Sequence, residues 1–463
     1  MSSPSVEQNA VVREAGMLER WHIVRQKLGL LGAVVISGRY ARADGSIFDK
    51  AHLYAALEKV IQKHGSLAMC IAGEATLKPA FVRLNKVNLD EVVTFVDGDL
   101  CDVLQAEIGK GFEMTRPLWR LLVLRDGTVA FSFHHVIGDG QSGMAFHQTL
   151  LAVLNEIDEA PPSHPALVSG PSEITLLPPI EHAADLYVSP FRLIREIIKQ
   201  FLPISWTSAY WAWTGYPTIP EAKLGCNLRL LYHKPEAAHR VLRVCRAHNT
   251  TLTGLIHTLA TLIISELLAE DPSVADRYTS ISTTIPVSLR PLINAPTDAM
   301  CNYVSAHPSF PPFIKRTPSA DKSWLREFPW DTASEFSRTL REQQARTTEN
   351  VGLVKYVSSY EDYHKNKLGK KRETTFEISN VGRFPAGTSA EPGLLKWTLD
   401  DVYFTQSSPS SGAAIHMNVA GDPAGGVGIS VTWAESAVDD SFGEAFFTAL
   451  KEGLEEVVHH DVA

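Results

Sequence analysis

The segment Phe131-Ser-Phe-His134-His135-Val-Ile-Gly138-Asp139-Gly140 constrains the fold of this chain more than any other. Strand-type residues (Leu122, Val123, Val129, Phe131, Phe133) lead into it across Asp126-Gly127, a hairpin signal. A helical pattern from Gly143 to Ile157 follows directly. A hairpin must therefore end in two adjacent histidines, pass through a glycine-rich turn, and enter a helix. A histidine fixed at a strand end, with a carboxylate close by, can serve as a general base near neutral pH.

Spacing alone leaves several uses open for His134, His135 and Asp139. One histidine could be a base, with Asp139 fixing its geometry. Metal binding would need a third ligand, and Gly138 and Gly140 argue against the regular helix that would align His135 with Asp139. A serine nucleophile is suggested by Gly140-Gln-Ser142-Gly-Met144, but methionine stands where the GxSxG elbow needs glycine. The bland alternative is a pair of satisfied core histidines and an aspartate that caps the next helix.

Bulk properties narrow the function classes. At 463 residues the chain exceeds one ordinary core and suits two domains. Its net charge of −9 opposes nucleic acid as the main partner, since phosphate binding needs a basic face. Cys70, Cys101, Cys226, Cys245 and Cys301 are scattered, with no CxxC pair. Neither a disulfide framework nor a zinc site is indicated, and a reducing compartment is expected. The first residues lack the basic and apolar regions of a secretory signal, and the apolar runs fall short of the ~18 residues that span a bilayer. The expected location is cytoplasmic.

Strand and helix patterns alternate through both halves. Residues 1–16 read as a flexible N-terminal tail, 17–158 as an N-terminal subdomain, 159–188 as a Pro/Ser/Gly-rich linker, and 189–463 as a C-terminal subdomain. Phe191–Leu202 is an amphipathic helix trailed by Trp206, Trp211 and Trp213. Packing between the halves is the expected use of its apolar stripe, with peripheral membrane contact or a lid as the alternatives.

The histidine segment resembles the HHxxxDG motif of the chloramphenicol acetyltransferase-like superfamily, which includes condensation domains and plant BAHD acyltransferases. Glu19–Gly29, Pro117–Arg120, Thr251–Leu255, Ile285–Pro291, Asn302–Ser305 and Ser379–Gly382 look like the fungal alcohol acetyltransferase branch. The plant DFGWG motif is missing, with Phe376-Glu-Ile-Ser-Asn-Val-Gly382 nearby instead. The resemblance implies an α/β fold of two chloramphenicol acetyltransferase-like subdomains. Each would be a mixed or antiparallel sheet flanked by helices, with the active site in a tunnel between them.

Carried over residue by residue, the resemblance makes His135 the base that deprotonates an acceptor attacking an acyl thioester. Asp139 would brace the loop against Arg290, Gly140 would keep the backbone close behind the imidazole, and Asn302 would support the site. His134 has no assigned chemistry. No metal is expected, and acyl-CoA, acetyl-CoA above all, is the expected co-substrate, with a small-molecule alcohol as acceptor. A carrier protein as donor, a condensation or cyclisation reaction, and a non-catalytic binding protein are the rivals. Lys365, Lys367, Lys370, Lys371 and Arg372 form the densest basic run. Lys370, Lys371 and Arg372 would suit coenzyme A phosphates at a tunnel mouth, the alternative being an exposed solvated loop.

Overall fold

A computed structural model describes residues 10–459 apart from 43, 48, 158–160, 203, 222–223, 270, 315–327, 385–396 and 408–410. The principal N-terminal elements are β1 (Val11–Glu14), α1 (Met17–Lys27), β2 (Val34–Arg42), α2 (Lys50–Lys63), β3 (Met69–Ala72), β4 (Ala80–Arg83) and β5 (Val93–Val96). They continue with α3 (Leu100–Ile108), β6 (Trp119–Leu124), β7 (Thr128–Phe133) and α4 (Gly140–Glu156). The C-terminal part runs α5 (Pro190–Phe201), β8 (Asn227–His233), α6 (Pro235–Ala247), α7 (Leu252–Ala269), β9 (Thr283–Ser288), β10 (Val304–Ser309) and α8 (Trp330–Gln343). It closes with α9 (Tyr360–Lys365), β11 (Phe376–Arg383), β12 (Trp397–Gln406), β13 (Ile415–Gly421), β14 (Val427–Trp433) and α10 (Asp440–His459).

Two mixed sheets carry the molecule. The first has strand order β12-β2-β7-β6-β5, and the second β8-β14-β13-β11-β9-β10. Each has its own core. Phe131, Phe133, Ile36 and Phe146 pack with α2 and α4 on the first. Phe376, Ile378, Met417 and Ile429 pack with α7 and α10 on the second. The hairpin at Asp126-Gly127 joins β6 to β7 antiparallel, and Gly127 has φ +85°, which favours glycine.

Several sequence expectations need correction here. Of the presumed tail, Val11–Glu14 is a strand paired antiparallel with β4, Val11, Arg13 and Glu14 lying opposite Val82, Phe81 and Ala80; residues 1–9 lie outside the described set. Within the presumed linker, Leu167–Ser169 pairs with Lys86–Asn88, and Ile180–Ala183 is a short helix with Ile180 buried. The C-terminal part is not one contiguous subdomain either: β12 leaves it to pair with β2, placing Leu399, Val402 and Phe404 in the first core. Helix α7 is also, by length and composition, apolar enough to cross a bilayer; most of it is buried inside the second core.

Helix α5 overturns the packing expectation. Phe191 and Phe201 are 77% and 83% exposed, and Ile194, Ile197 and Ile198 share that open face. Its 3.6-residue periodicity is as the sequence indicates, but no neighbour covers the stripe within the described residues.

Strand alternation in the second sheet sets up the site. Phe376 and Ile378 of β11, with Ile415, Met417 and Val419 of β13, face the helices. Their alternates Glu377, His416 and Asn418 must therefore face the opposite side, with Glu377 opposite His416 across the parallel ladder. That side meets the first subdomain: Asn418 is bridged to Gln406 of β12 by a 2.7 Å hydrogen bond. A polar sheet face thus lies between the two cores.

Candidate active site

The histidine segment occupies the junction between the subdomains. His134 and His135 follow the last residue of β7, and Asp139 is the N-cap of α4. The Asp139 carboxylate accepts from the Ser142 backbone N–H at 3.0 Å, so the turn and the helix start are one unit. Gly140 is required by close approach. A Cβ there would stand 2.5 Å from Val381 of β11 and 3.3 Å from Phe404 of β12.

Asp139 is fully engaged. Arg290 Nη2 donates to Oδ1 at 2.7 Å and Nε to Oδ2 at 3.3 Å. The Tyr303 N–H donates to Oδ2 at 3.2 Å. Both partners of the ion pair are almost wholly buried. Arg290 also donates to the carbonyls of Pro296 and Ala299. Despite its burial, its guanidinium is held above the usual range by Asp139. The pair ties the N-terminal loop to the C-terminal subdomain.

Asn302 tightens the same clamp, its amide donating to the His135 carbonyl at 3.0 Å. The Cys301 carbonyl accepts from the Asp139 N–H at 3.0 Å. Ser142 is buried, with its hydroxyl oxygen 3.0 Å from both Asp139 Oδ1 and the Cys301 carbonyl. It accepts from Arg290 Nη2 at 2.9 Å. The hydroxyl suspected from Gly-Gln-Ser-Gly-Met is therefore committed to structure.

The two histidines differ in access. His134 is wholly buried; its Nδ1 accepts from the Val136 N–H at 2.8 Å and its ring meets Phe112 edge-on. Burial lowers its pKa to about 3. His135 keeps accessible surface although protein surrounds it. Its Nδ1 is enclosed, and the backbone of His135 and Gly138 in its own loop supports the ring. Burial pulls the imidazole well below its ordinary pKa; backbone groups of the loop and the Asp139 charge oppose that, and Arg25 adds to it. Burial thus favours the neutral imidazole, the form that can accept a proton.

One partner went unassigned in the sequence. His22 of α1 stacks on His135, ring centroids 3.9 Å apart and planes 7° from parallel. Its pKa is driven down first by burial, then by the charges of His135 and Arg25. Its string resembled the family, but a ring stack between distant segments leaves no spacing signal. Several histidines gather near this region, yet no three His, Cys, Asp or Glu side chains among the described residues converge to hold a metal.

The structure does not assemble the basic run into a phosphate site. Lys371 donates to the carbonyls of Ala209, Tyr210 and Ala212, and burial lowers it to about 8. Arg372 is buried, donating to the carbonyls of Tyr216, Gly412 and Ser436. Lys370 is exposed, and its backbone packs against Thr218. Lys365 and Lys367 pair with Glu361 and Glu373. These side chains mostly clip loops together. A cleft of about 500 Å³ opens instead beside α1, lined by Arg20, Lys27, Lys355 and Tyr360 together with Glu181 and Glu361.

Known proteins share this architecture. The alcohol acetyltransferase family model matches residues 14–452. The probable alcohol acetyltransferase crmB of Aspergillus fumigatus is 26% identical, covering 92% of this chain and 96% of its own length. Among solved structures, the TRI3 trichothecene 15-O-acetyltransferase from Fusarium sporotrichioides superposes with a TM-score of 0.66 at 13% identity, covering 99% and 97% of the two chains. The condensation domain of the monacolin K polyketide synthase MokA gives 0.57 at 12% identity, covering 96% of each.

Proposed function

The chain belongs to the alcohol acetyltransferase family, an acyltransferase family, and from that premise we propose that it transfers an acyl group from acyl-CoA to the hydroxyl of a small-molecule acceptor, with His135 as the general base. The observation that carries this reading is the setting of His135: at the end of β7 on a loop braced by Asp139, Arg290 and Asn302, stacked on His22, with part of its surface accessible. An alcohol is a weak nucleophile, and removing its proton as it attacks contributes typically ~10²–10⁴ in rate.

The acceptor oxygen attacks the thioester carbonyl carbon while its proton passes to His135 Nε2. The tetrahedral oxyanion collapses, the C–S bond breaks, and the same nitrogen returns the proton to the leaving thiolate. The products are an ester and a free thiol. Asp139 takes no part in the proton transfer, its oxygens being held by Arg290, Ser142 and the Tyr303 N–H. It positions the loop, and Asn302 fixes the His135 carbonyl. His22 sets the ring plane of the base through the stack.

Incubation with acetyl-CoA and a panel of alcohols, read by thiol release, tests the assignment. His135→Ala is expected to lower kcat by at least ~10²-fold in a folded protein. Wild-type turnover in that variant sinks the base assignment. Thiol release that requires a carrier-bound thioester and fails with every acyl-CoA favours a carrier-dependent reaction.

The open stripe on α5 supports a peripheral membrane contact for this enzyme. Phe191, Ile194, Ile198 and Phe201 recur at helical spacing and are exposed, with Trp206 exposed just beyond the helix. Arg192, Arg195 and Lys199 flank the stripe against the single acid Glu196, a net basic helix on an acidic protein. Charge and shape together fit an anionic lipid surface.

A further inference from the structure

A small cavity of about 20 Å³ lies against the loop that carries the base. Its walls include Val136 and Ile137 of that loop, Asn302, Arg13 of β1, Glu19 of α1, and Glu181 of the short helix Ile180–Ala183. Four segments far apart in the sequence therefore meet around it.

Three polar atoms of these wall residues are buried with no hydrogen-bond partner among the described residues: Arg13 Nε, Glu181 Oε2 and Asn302 Oδ1. The rest of each side chain is committed. Arg13 grips Glu19 through Nη1 and Nη2 at 2.7 and 2.6 Å, with its guanidinium over the Phe81 ring. Glu181 Oε1 accepts from the Met17 N–H at 2.7 Å. The Asn302 amide donates to the His135 carbonyl at 3.0 Å. No one of the three side chains can turn to another partner without giving up one of these bonds.

One donor and two acceptors bordering one cavity limit what can sit there. An anion would accept from Arg13 but meet two more acceptors in Glu181 and Asn302. A metal cation would suit those two oxygens and oppose the guanidinium. An ammonium ion donates but cannot accept from Nε–H. Water does both, and a cavity of roughly 10–15 Å³ is enough to hold one. We propose that Arg13, Glu181 and Asn302 hold one ordered water, which accepts from Arg13 Nε and donates to Glu181 Oε2 and Asn302 Oδ1. Arg13 and Glu181 are thereby positioning residues: the water fixes the Asn302 side chain, whose amide fixes the His135 carbonyl. The effect on turnover rests on the acyl-transfer reading above, and the water site does not.

A high-resolution crystal structure of the full chain tests the water directly. A density peak about 2.7–3.2 Å from all three atoms is expected, and an ordered cavity without that peak overturns the proposal. Glu181→Leu removes one acceptor, whereas Glu181→Gln keeps an amide that can still bond to the water; Glu181→Ala replaces the leucine variant should that one fail to fold. The carbon-13 resonance of His135 Cε1, assigned by its loss in His135→Ala, reads the base without turnover. Glu181→Leu is expected to displace that resonance and to lower kcat at least about threefold with KM unchanged, and Glu181→Gln to restore most of both. In an Asn302→Ala background the leucine substitution should cost nothing further, since the link is already cut. Additive losses in the double variant, or an unmoved resonance in Glu181→Leu, would reduce Glu181 to a helix cap and overturn the proposal. A wild type inactive with every acyl-CoA sinks the acyl-transfer reading, while the density peak and the resonance still decide this one.

Discussion

At the scale of single residues, Asp139 and Arg290 show how a titratable motif can be structural in its geometry. The two charges are buried together, so removing one strands the other in the interior, which costs about 3–5 kcal/mol in comparable cases. Arg290→Met is therefore expected to lower unfolding free energy by that order, measured by denaturant titration. Asp139→Asn should lose stability and activity together. An Asp139→Asn protein as stable as the wild type but inactive would show that the carboxylate acts directly on the reaction. The pairing of these two residues came from resemblance, and the order of the motif from the sequence itself. His22 was not recognised, because its partner lies in another segment and stacking has no sequence period. Arg372 is the converse case. A basic run signals charge, but only folding decides whether its donors meet solvent or backbone carbonyls.

At the scale of elements, periodicity was a sound guide to what forms and a poor guide to what covers it. The Asp126-Gly127 hairpin, the helix after the histidines and α5 all appear where composition places them. The sequence stripe of α5 is the same whether it meets a protein core or solvent, and the packing expectation failed for that reason. Its exposure leads to a prediction at this scale. The wild type should co-sediment with vesicles containing phosphatidylserine, and Ile194→Asp/Ile198→Asp should weaken that binding by at least about tenfold. Thiol release with a water-soluble acceptor should be unchanged, since these side chains face solvent. Equal binding by both proteins would rule out the helix as a membrane contact.

At the scale of the whole molecule, two sheets with separate cores share one polar seam, and many histidines are buried neutral. Burial lowers His134, His257 and His416 to about 3 and His147 to about 4, against an ordinary value near 6.5. In the unfolded chain these groups take up protons below pH ~6.5, while the folded protein resists until far lower. The stability they permit is present above pH ~6.5 and is lost as pH falls toward 3–4. Glu377 acts in the opposite direction, costing stability as pH rises from its ordinary 4.5 through about 7, but it is one group against several. Calorimetry should show Tm falling by ~5 °C or more between pH 7 and pH 5. A flat Tm over that interval would mean the histidines are not held neutral.

The amino-acid sequence determined the local grammar: a hairpin into a histidine turn into a helix, alternating strands and helices, and an acidic chain of two-core size. These follow from turn chemistry, side-chain period and composition, which act over a few residues. Tertiary structure alone decided that β12 crosses into the first sheet, that His22 lies against His135, and that Arg290 closes on Asp139. Those are contacts between distant segments, set by which surfaces exclude water together, and no local pattern encodes them.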